Sequence, residues 1–339
     1  MPAEQRKLRW LDLGHLTAEE LHQSYQALAA LRRADDPAFL VLATADAHLS
    51  LGAAQSASAE LNEAACGSVA VLQRALGGGL VWVEPTHLNY FLLSTPDVQC
   101  RRPEDLLAAM APSIQAVHAQ YGLPVELAAG QEFRCRERRI GSTGAATIGK
   151  SLVLAGSYLL RIDWRPFVAS VAAPSPEFRN TLARALSASL TSWETELGPK
   201  MMPSHADLKS AWQAQLLAQG WQIFEEELHA SECAAWQQVE WEPVDWQSQG
   251  RRRVRNGIKL RAGAFLTEQH WPDGWLRVWT EDGCYREVES DAWPPELSWA
   301  LAGVAARSPL LASLLDGYLG SSAGRWQKRL EELSVWSDQ

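Results

Sequence analysis

Apolar residues in the segment 17–33 (TAEELHQSYQALAALRR) fall at Leu21, Tyr25, Leu28 and Leu31, the three- and four-residue spacing of a one-sided helix. Thr17 stands ahead of that run and Glu20 three residues on, a capping-box pattern that predicts where the helix starts. The pattern then changes to compact apolar runs bounded by polar residues, at 38–44 (AFLVLAT), 69–72, 80–83 and 89–93, which predict buried strands around a glycine turn. Residues 103–121 return to helical spacing. Residues 151–163 (SLVLAGSYLLRID) read as two short strands, or as one strand bent at Gly156. This alternation predicts a mixed α/β (α+β) domain.

Beyond it, 166–196 is helical with breaks at Pro174 and Pro176, 199–203 (PKMMP) reads as a turn, and 206–230 reads as another helix. Strands are expected at 257–266, 275–280 and 284–289, the last two joined by Glu281, Asp282 and Gly283, a turn suited to a hairpin. Helices are expected over 295–307 and 310–319. Thirteen of the 16 tryptophans follow residue 190, which marks the C-terminal part as a separate region. The expected division is therefore 1–200, a helical linker region 201–255, and a small C-terminal α+β domain 256–339.

Composition narrows the choices. At 339 residues and 47% hydrophobic content the chain can bury a sizeable core. No apolar run approaches the roughly 20 residues that cross a bilayer, and the first ten residues lack the apolar stretch of a signal peptide, so the expected location is the cytoplasm, with no membrane partner. Cys66, Cys100, Cys135, Cys233 and Cys284 have no paired spacing, which argues against a disulfide framework and against zinc; no metal site is expected. A net charge of −9 argues against nucleic acid. The basic clusters 134–139 (RCRERR) and 251–255 (RRRVR) are expected to be solvated loop charge, with Arg134, Arg136 and Arg138 as a possible surface for an acidic partner, diluted by Glu132 and Glu137.

The segment with most chemical content is 73–90, QRALGGGLVWVEPTHLNY. Gly77, Gly78 and Gly79 let backbone approach a ligand closely, and successive N–H groups at such a turn can cradle a phosphate or carboxylate beside the forked donor Arg74. A plain structural glycine turn is the competing reading.

That segment resembles the R-R-x-S/T-G-G-G-x-V-x-H-D-x-G-x-L-N-Y signature of the biotin/lipoate A/B protein ligase superfamily, at Arg74, the three glycines, Val81, Leu88, Asn89 and Tyr90. Residues 48–55 (HLSLGAAQ) resemble its T-L-S-L-G-x-x-Q, and Arg139, Ile140, Gly141 and Ser142, followed by Gly156 to Leu160 (GSYLL), resemble its K-I-S-G-S-A and H-G-S-I-L-L-D. Three motifs in the family's order, within residues 8–190, place the chain closest to lipoate protein ligases and their octanoyltransferase relatives. The biotin-binding loop of the biotin ligases has no counterpart here.

The resemblance implies a mixed-sheet catalytic domain with a tunnel for a lipoyl or octanoyl chain, followed by a small accessory domain. It implies that ATP with Mg2+ activates lipoate or octanoate to the acyl-AMP. The acyl group then passes to a lysine of a carrier domain, as in the lipoyl domains of 2-oxoacid dehydrogenases or the H protein of glycine cleavage. By the same resemblance Arg74, Gly77, Gly78, Gly79, His87, Asn89, Gly141, Ser142 and Gly156 would bind the acyl-adenylate.

Departures from the pattern matter as much. Arg139 stands where the family has its catalytic lysine, and a planar guanidinium does not substitute for a point charge. Lys150 is the alternative cation. Leu76, Val83, Glu84 and Ala155 replace polar residues of the signature, and none of the cysteines aligns with the transferases' nucleophile. Three functions stay open: an ATP-dependent ligase, an ATP-independent octanoyl or lipoyl transferase, and a non-catalytic acyl- or carrier-binding homologue.

Overall fold

The computed structural model describes residues 6–97, 100–128, 132–248, 250 and 252–335, and only the backbone of Ser142. Arg251 and the first five residues, which figured in the sequence reading, lie outside the described residues. The chain runs β1 (Lys7–Leu16), α1 (Ala18–Leu31), β2 (Ala38–Ala45), β3 (His48–Leu51), α2 (Ala57–Glu60), α3 (Glu63–Cys66), β4 (Ala70–Gln73), β5 (Val81–Val83) and β6 (His87–Ser94). It continues through α4 (Pro103–Gln120), β7 (Val125–Ala128), β8 (Glu132–Cys135), β9 (Arg138–Arg139), β10 (Gly141–Ile148), β11 (Ser151–Leu159), α5 (Trp164–Ser170), α6 (Pro176–Ser189), α7 (Trp193–Leu197), α8 (His205–Ala218), β12 (Gln222–Glu225) and α9 (Ala230–Gln237). Last come β13 (Gly257–Arg261), β14 (Ala264–Trp271), β15 (Gly274–Glu281), β16 (Cys284–Ser290), α10 (Pro295–Leu301), α11 (Pro309–Leu319) and α12 (Ala323–Leu333).

Two compact units emerge, and neither is continuous in sequence. Unit 1 comprises Met1–Ala54, Cys66–Asp163 and Thr191–Asp245; unit 2 comprises Gln55–Ala65, Trp164–Leu190 and Trp246–Gln339. This grouping cuts across the sequence-based spans 1–200, 201–255 and 256–339, because two short internal segments join the C-terminal part.

Unit 1 is built on a six-stranded mixed sheet in the order β10-β11-β6-β2-β1-β12, with β1 parallel to β2 and β12 and the remaining neighbours antiparallel. Alternation along the strands sends one set of side chains to each face. Leu40, Leu42, Tyr90, Leu92, Leu154 and Tyr158 point to the face covered by α4 and α8, where Trp193 and Trp212 are fully buried. Trp212 packs edge-on against Tyr90 and Tyr158, and its indole N–H donates to Ser113 Oγ at 2.9 Å. Phe39, Val41, Phe91, Leu93 and Val153 point to the other face, against Leu21, Tyr25 and Leu28 of α1. That helix starts as its sequence predicts: Thr17 and Glu20 form the reciprocal capping box. Two small sheets, β4-β3-β5 and β7-β8-β9, complete the unit.

Some expectations change. Of the two readings of 151–163, the single strand holds, over Ser151–Leu159 with Gly156 inside it. The helix expected over 206–230 stops at Ala218, and Gln222–Glu225 becomes β12 because it pairs in parallel with Lys7–Trp10. In unit 2, 257–266 is split between two strands of an antiparallel sheet, β13-β14-β15-β16. The expected hairpin turn is present, with Asp282 and Gly283 both at positive φ. α10, α11 and α12 supply Leu297, Leu301, Leu315, Trp326 and Leu330 to a core with Leu276, Val278 and Tyr285.

Candidate functional site

The glycine segment crosses the end of β3. β4 pairs with β3 on one side and β5 on the other, so residues 74–80 must pass over the point where β3 leaves its sheet at Leu51 and Gly52. The crossing is close. A Cβ at Gly52 would lie 2.2 Å from the Gly78 carbonyl oxygen, so two of the sequence motifs meet where only glycine fits. Backbone bonds from Arg74 N to Leu51 O (2.9 Å) and from Ala53 N to Leu76 O (3.0 Å) fasten both sides.

Arg74 is 9% exposed and turns into the bend. Its Nη1 donates to Ser50 O at 2.6 Å, and its Nη2 donates to Gly77 O at 2.7 Å and Gly79 O at 2.8 Å. The carbonyls of the bend are thereby occupied from within. Among the described residues the N–H groups of Gly77, Gly78 and Gly79 have no hydrogen-bond partner. A bend whose oxygens face a guanidinium while its N–H groups stay open suits an anion.

Flanking the bend, Leu76 and Val83 join the apolar cluster with Phe91, Leu93 and Val153, and Val81, Ala146 and Ala155 lie half-buried at its edge. Asn89 sits two residues before Phe91, hence on the same sheet face, and pairs with Ala43 and Ser157 in register. Ser142 holds the next position in that row, opposite Ser157. The row β10-β11-β6-β2 thus aligns three candidate segments. Asn89 is buried and its Nδ2 has no partner, leaving a donor on the sheet face against which Leu76 packs. Two cavities of this unit lie elsewhere, one lined by Leu123, Pro124 and Arg136, the other by Asp12, Lys209 and Glu225.

Gly156 is needed for packing: a Cβ there would lie 2.2 Å from the Tyr90 ring. A Cβ at Gly141 would stand 3.2 Å from Ser157 O. His87 is buried, its Nε2 donating to Arg161 O at 3.0 Å, with Glu84 Oε1 at 3.4 Å. Arg139, half-buried on β9, gives its carbonyl to Thr191 N at 2.8 Å. Lys150 is exposed in the turn between β10 and β11. Seven register steps separate the pair Gly141 and Tyr158 beside Arg139 from the pair Ile148 and Ser151 beside Lys150. At about 3.4 Å per residue that is roughly 24 Å, so the two cations belong to opposite ends of the hairpin.

The basic cluster around Arg139 is largely neutralised. Arg136 and Arg138 both donate to Glu196 (3.1 and 2.6 Å), and Arg134 to Glu132 (2.7 Å). Cys135 is buried, and burial followed by the Glu196 charge pushes its thiol pKa up, the opposite of what a nucleophile needs. Cys66 is buried at the end of α3. Among the described residues no group of three or more His, Cys, Asp or Glu is placed to hold a metal ion, and no helix is long and apolar enough to cross a membrane. Sequence reading passed over His22, which lies buried on α1 with its Nε2 3.1 Å from Nε2 of His48; a lone histidine in a helix gave no signal.

The fold is shared with solved structures. A bipartite lipoate protein ligase from the archaeon Thermoplasma acidophilum, studied with its E2 lipoyl domain, superposes with TM-score 0.61 at 15% identity, covering 68% of this chain and 91% of that one. A lipoate-protein ligase A bound with ATP gives 0.57 at 14% identity over 68% and 93%. LipL1 of P. falciparum in complex with lipoate gives 0.55 at 9% identity over 95% and 99%. No curated protein matches in sequence. Residues 18–217, more than half of the chain, match the lipoyl protein ligase A/B catalytic domain, and the chain belongs to that family.

Proposed function

We propose that this protein is a lipoate or octanoate protein ligase that activates the acid with ATP and transfers the acyl group to a lysine of a lipoyl-type carrier domain. The carrying observation is the glycine bend: Arg74 occupies the carbonyls of Gly77 and Gly79, the bend N–H groups are open, and the unpartnered Nδ2 of Asn89 lies on the sheet face that Leu76 packs against. Donors of this kind match the anionic phosphate and carboxyl oxygens of an acyl-adenylate. The acyl tail would run along the small half-buried residues Val81, Ala146 and Ala155, where each buried CH₂ contributes about 0.8 kcal/mol. Mg2+ would arrive with ATP and be held mainly by its phosphates. Similar structures with ATP, with lipoate, and from a system with an E2 lipoyl domain support the reading.

Arg139 would face the acyl-phosphate from the head of β10, and Lys150, at the far end of the hairpin, would take no part. The buried Cys135 weighs against an ATP-independent thioester route. The test is incubation with ATP, lipoate or octanoate, and a lipoyl domain, read by intact mass and by acid-dependent pyrophosphate exchange. A carrier mass gain that requires ATP supports ligation. Tight acid binding with neither exchange nor mass gain would favour the non-catalytic reading, to which the Arg139 replacement points.

A further inference from the structure

A buried polar chain extends from the glycine bend into α1. His48 Nδ1 lies 2.7 Å from the Asp46 carbonyl, which only accepts, so that nitrogen carries the proton and Nε2 of the neutral ring is a lone pair. His22 Nε2, 3.1 Å from it, must then be the donor, and His22 Nδ1 accepts from the Tyr25 hydroxyl at 3.4 Å. Each tautomer follows from the other's partners. Ser50, on the same side of β3 as His48, places Oγ 3.3 Å from His22 Nε2 and 3.4 Å from Arg74 Nη1, while its carbonyl takes the 2.6 Å bond from Arg74. Those Oγ contacts are long, so the stiffer link is β3 itself, fixed at His48 and gripped by Arg74 two residues on. His22, His48 and Ser50 are all buried, with Trp241 stacked on His22.

Burial keeps the pair neutral, with help from some charged and titratable neighbours and opposition from Asp46. Burial, then His48 and the Arg74 charge, drives His22 well below its usual pKa; burial, with His87 and the Arg74 charge, drives His48 to about 4, although the Asp46 carbonyl and carboxylate pull it upward.

We infer that His22 and His48 are positioning residues of the glycine bend: their hydrogen bond locks β3, and through Ser50 and Arg74 it holds Gly77 to Gly79 with their N–H groups presented to the ligand. The bearing on catalysis rests on the ligase reading, but the mechanical claim stands apart from it. Two-bond proton–nitrogen spectra of the imidazoles are expected to show His48 as the Nδ1–H and His22 as the Nε2–H tautomer, neither titrating in the usual imidazole range. Nitrogen relaxation at Gly77 to Gly79 is expected to report an ordered bend in the unmodified protein and in His22→Gln, which restores a donor, and a loosened bend in His22→Leu and in His48→Leu. In acyl-adenylate formation the leucine variants should lose about tenfold or more in kcat/KM, mainly through KM, with recovery in His22→Gln. Matching tautomers on the two rings, or a bend equally ordered in a folded leucine variant, would overturn the proposal. An unmodified protein that forms no adenylate would instead count against the ligase reading, and the bend's relaxation would still decide the role of the pair.

Discussion

Gly52→Ala is the sharpest probe of the bend. The added methyl would sit 2.2 Å from Gly78 O, 3.0 Å from Gly78 C and 3.4 Å from Gly77 C, all backbone atoms that no rotamer change can clear. Normal contact requires the strand exit and the bend to part by about 1 Å, and overpacking of this kind costs about 1–3 kcal/mol. The parting also pulls Gly77 O and Gly79 O from Arg74, two charge-assisted bonds of 2.7 and 2.8 Å that are each worth about 1.5–3 kcal/mol. Part of that loss would be recovered by water, so a total of about 2–4 kcal/mol is expected. For a unit of this size it lowers Tm by about 5–15 °C. Thermal unfolding followed by near-ultraviolet dichroism measures the shift, and calorimetric titration with lipoate and a non-hydrolysable ATP analogue measures the accompanying loss of affinity. A variant with unchanged Tm and unchanged affinity would refute the claim that the close crossing of β3 builds the site.

Further expectations concern charge and reactivity. Arg139→Lys is expected to raise ligation or adenylate formation by tenfold or more, whereas Lys150→Ala, about 24 Å along the hairpin, should leave kcat/KM within about twofold, as steady-state kinetics on both variants would show. His48 and His118 have folded pKa values lowered to about 4, below the unfolded 6.5, so between those limits the unfolded chain binds more protons and stability falls as pH drops. Each contributes up to about 1.4 kcal/mol per pH unit in that window, and denaturant titrations from pH 7 to 4.5 should show a slope that flattens in His118→Phe. Cys135 should resist alkylation in the folded protein at pH 8 while the half-buried Cys233 and Cys284 react, and Cys135→Ser should keep full activity; peptide mass mapping and the transfer assay decide both.

Local signals carried much of the architecture. Thr17 and Glu20 announce the start of α1 because capping is a contact between near neighbours, and the acidic glycine turn at 281–283 announces its hairpin for the same reason. The glycine bend stood out by residue type, and Asn89 by its match to the family signature. What they do, however, depends on partners brought by folding: Arg74 turns inward to Gly77 and Gly79 of its own segment and also to Ser50 across the ladder, which nothing near it in sequence indicates. β12 escaped notice because a four-residue strand is made by its pairing with β1, and its apolar content continues the helical run before it. His22 was hidden likewise, since only the approach of α1 to β3 gives that ring a partner. The segments 55–65 and 164–190 carry no mark that assigns them to the unit of the C-terminal sheet; that follows from folded contacts, with Leu61 bridging to Val171, α6 packing on β13 and β14, and Arg184 pairing with Glu287.

The interleaving of the two units bears on how the protein is made. As the polypeptide leaves the ribosome, Gln55–Ala65 appears long before the strands that begin at Gly257. The central sheet likewise waits for Gln222–Glu225 to cover the edge of its first strand. Unit 1 is therefore complete only once Asp245 has been made, and unit 2 cannot close until after it, although two of its segments are translated early. A nascent chain halted near residue 245 would carry α6 without the strands β13 and β14 that it packs against in the finished protein.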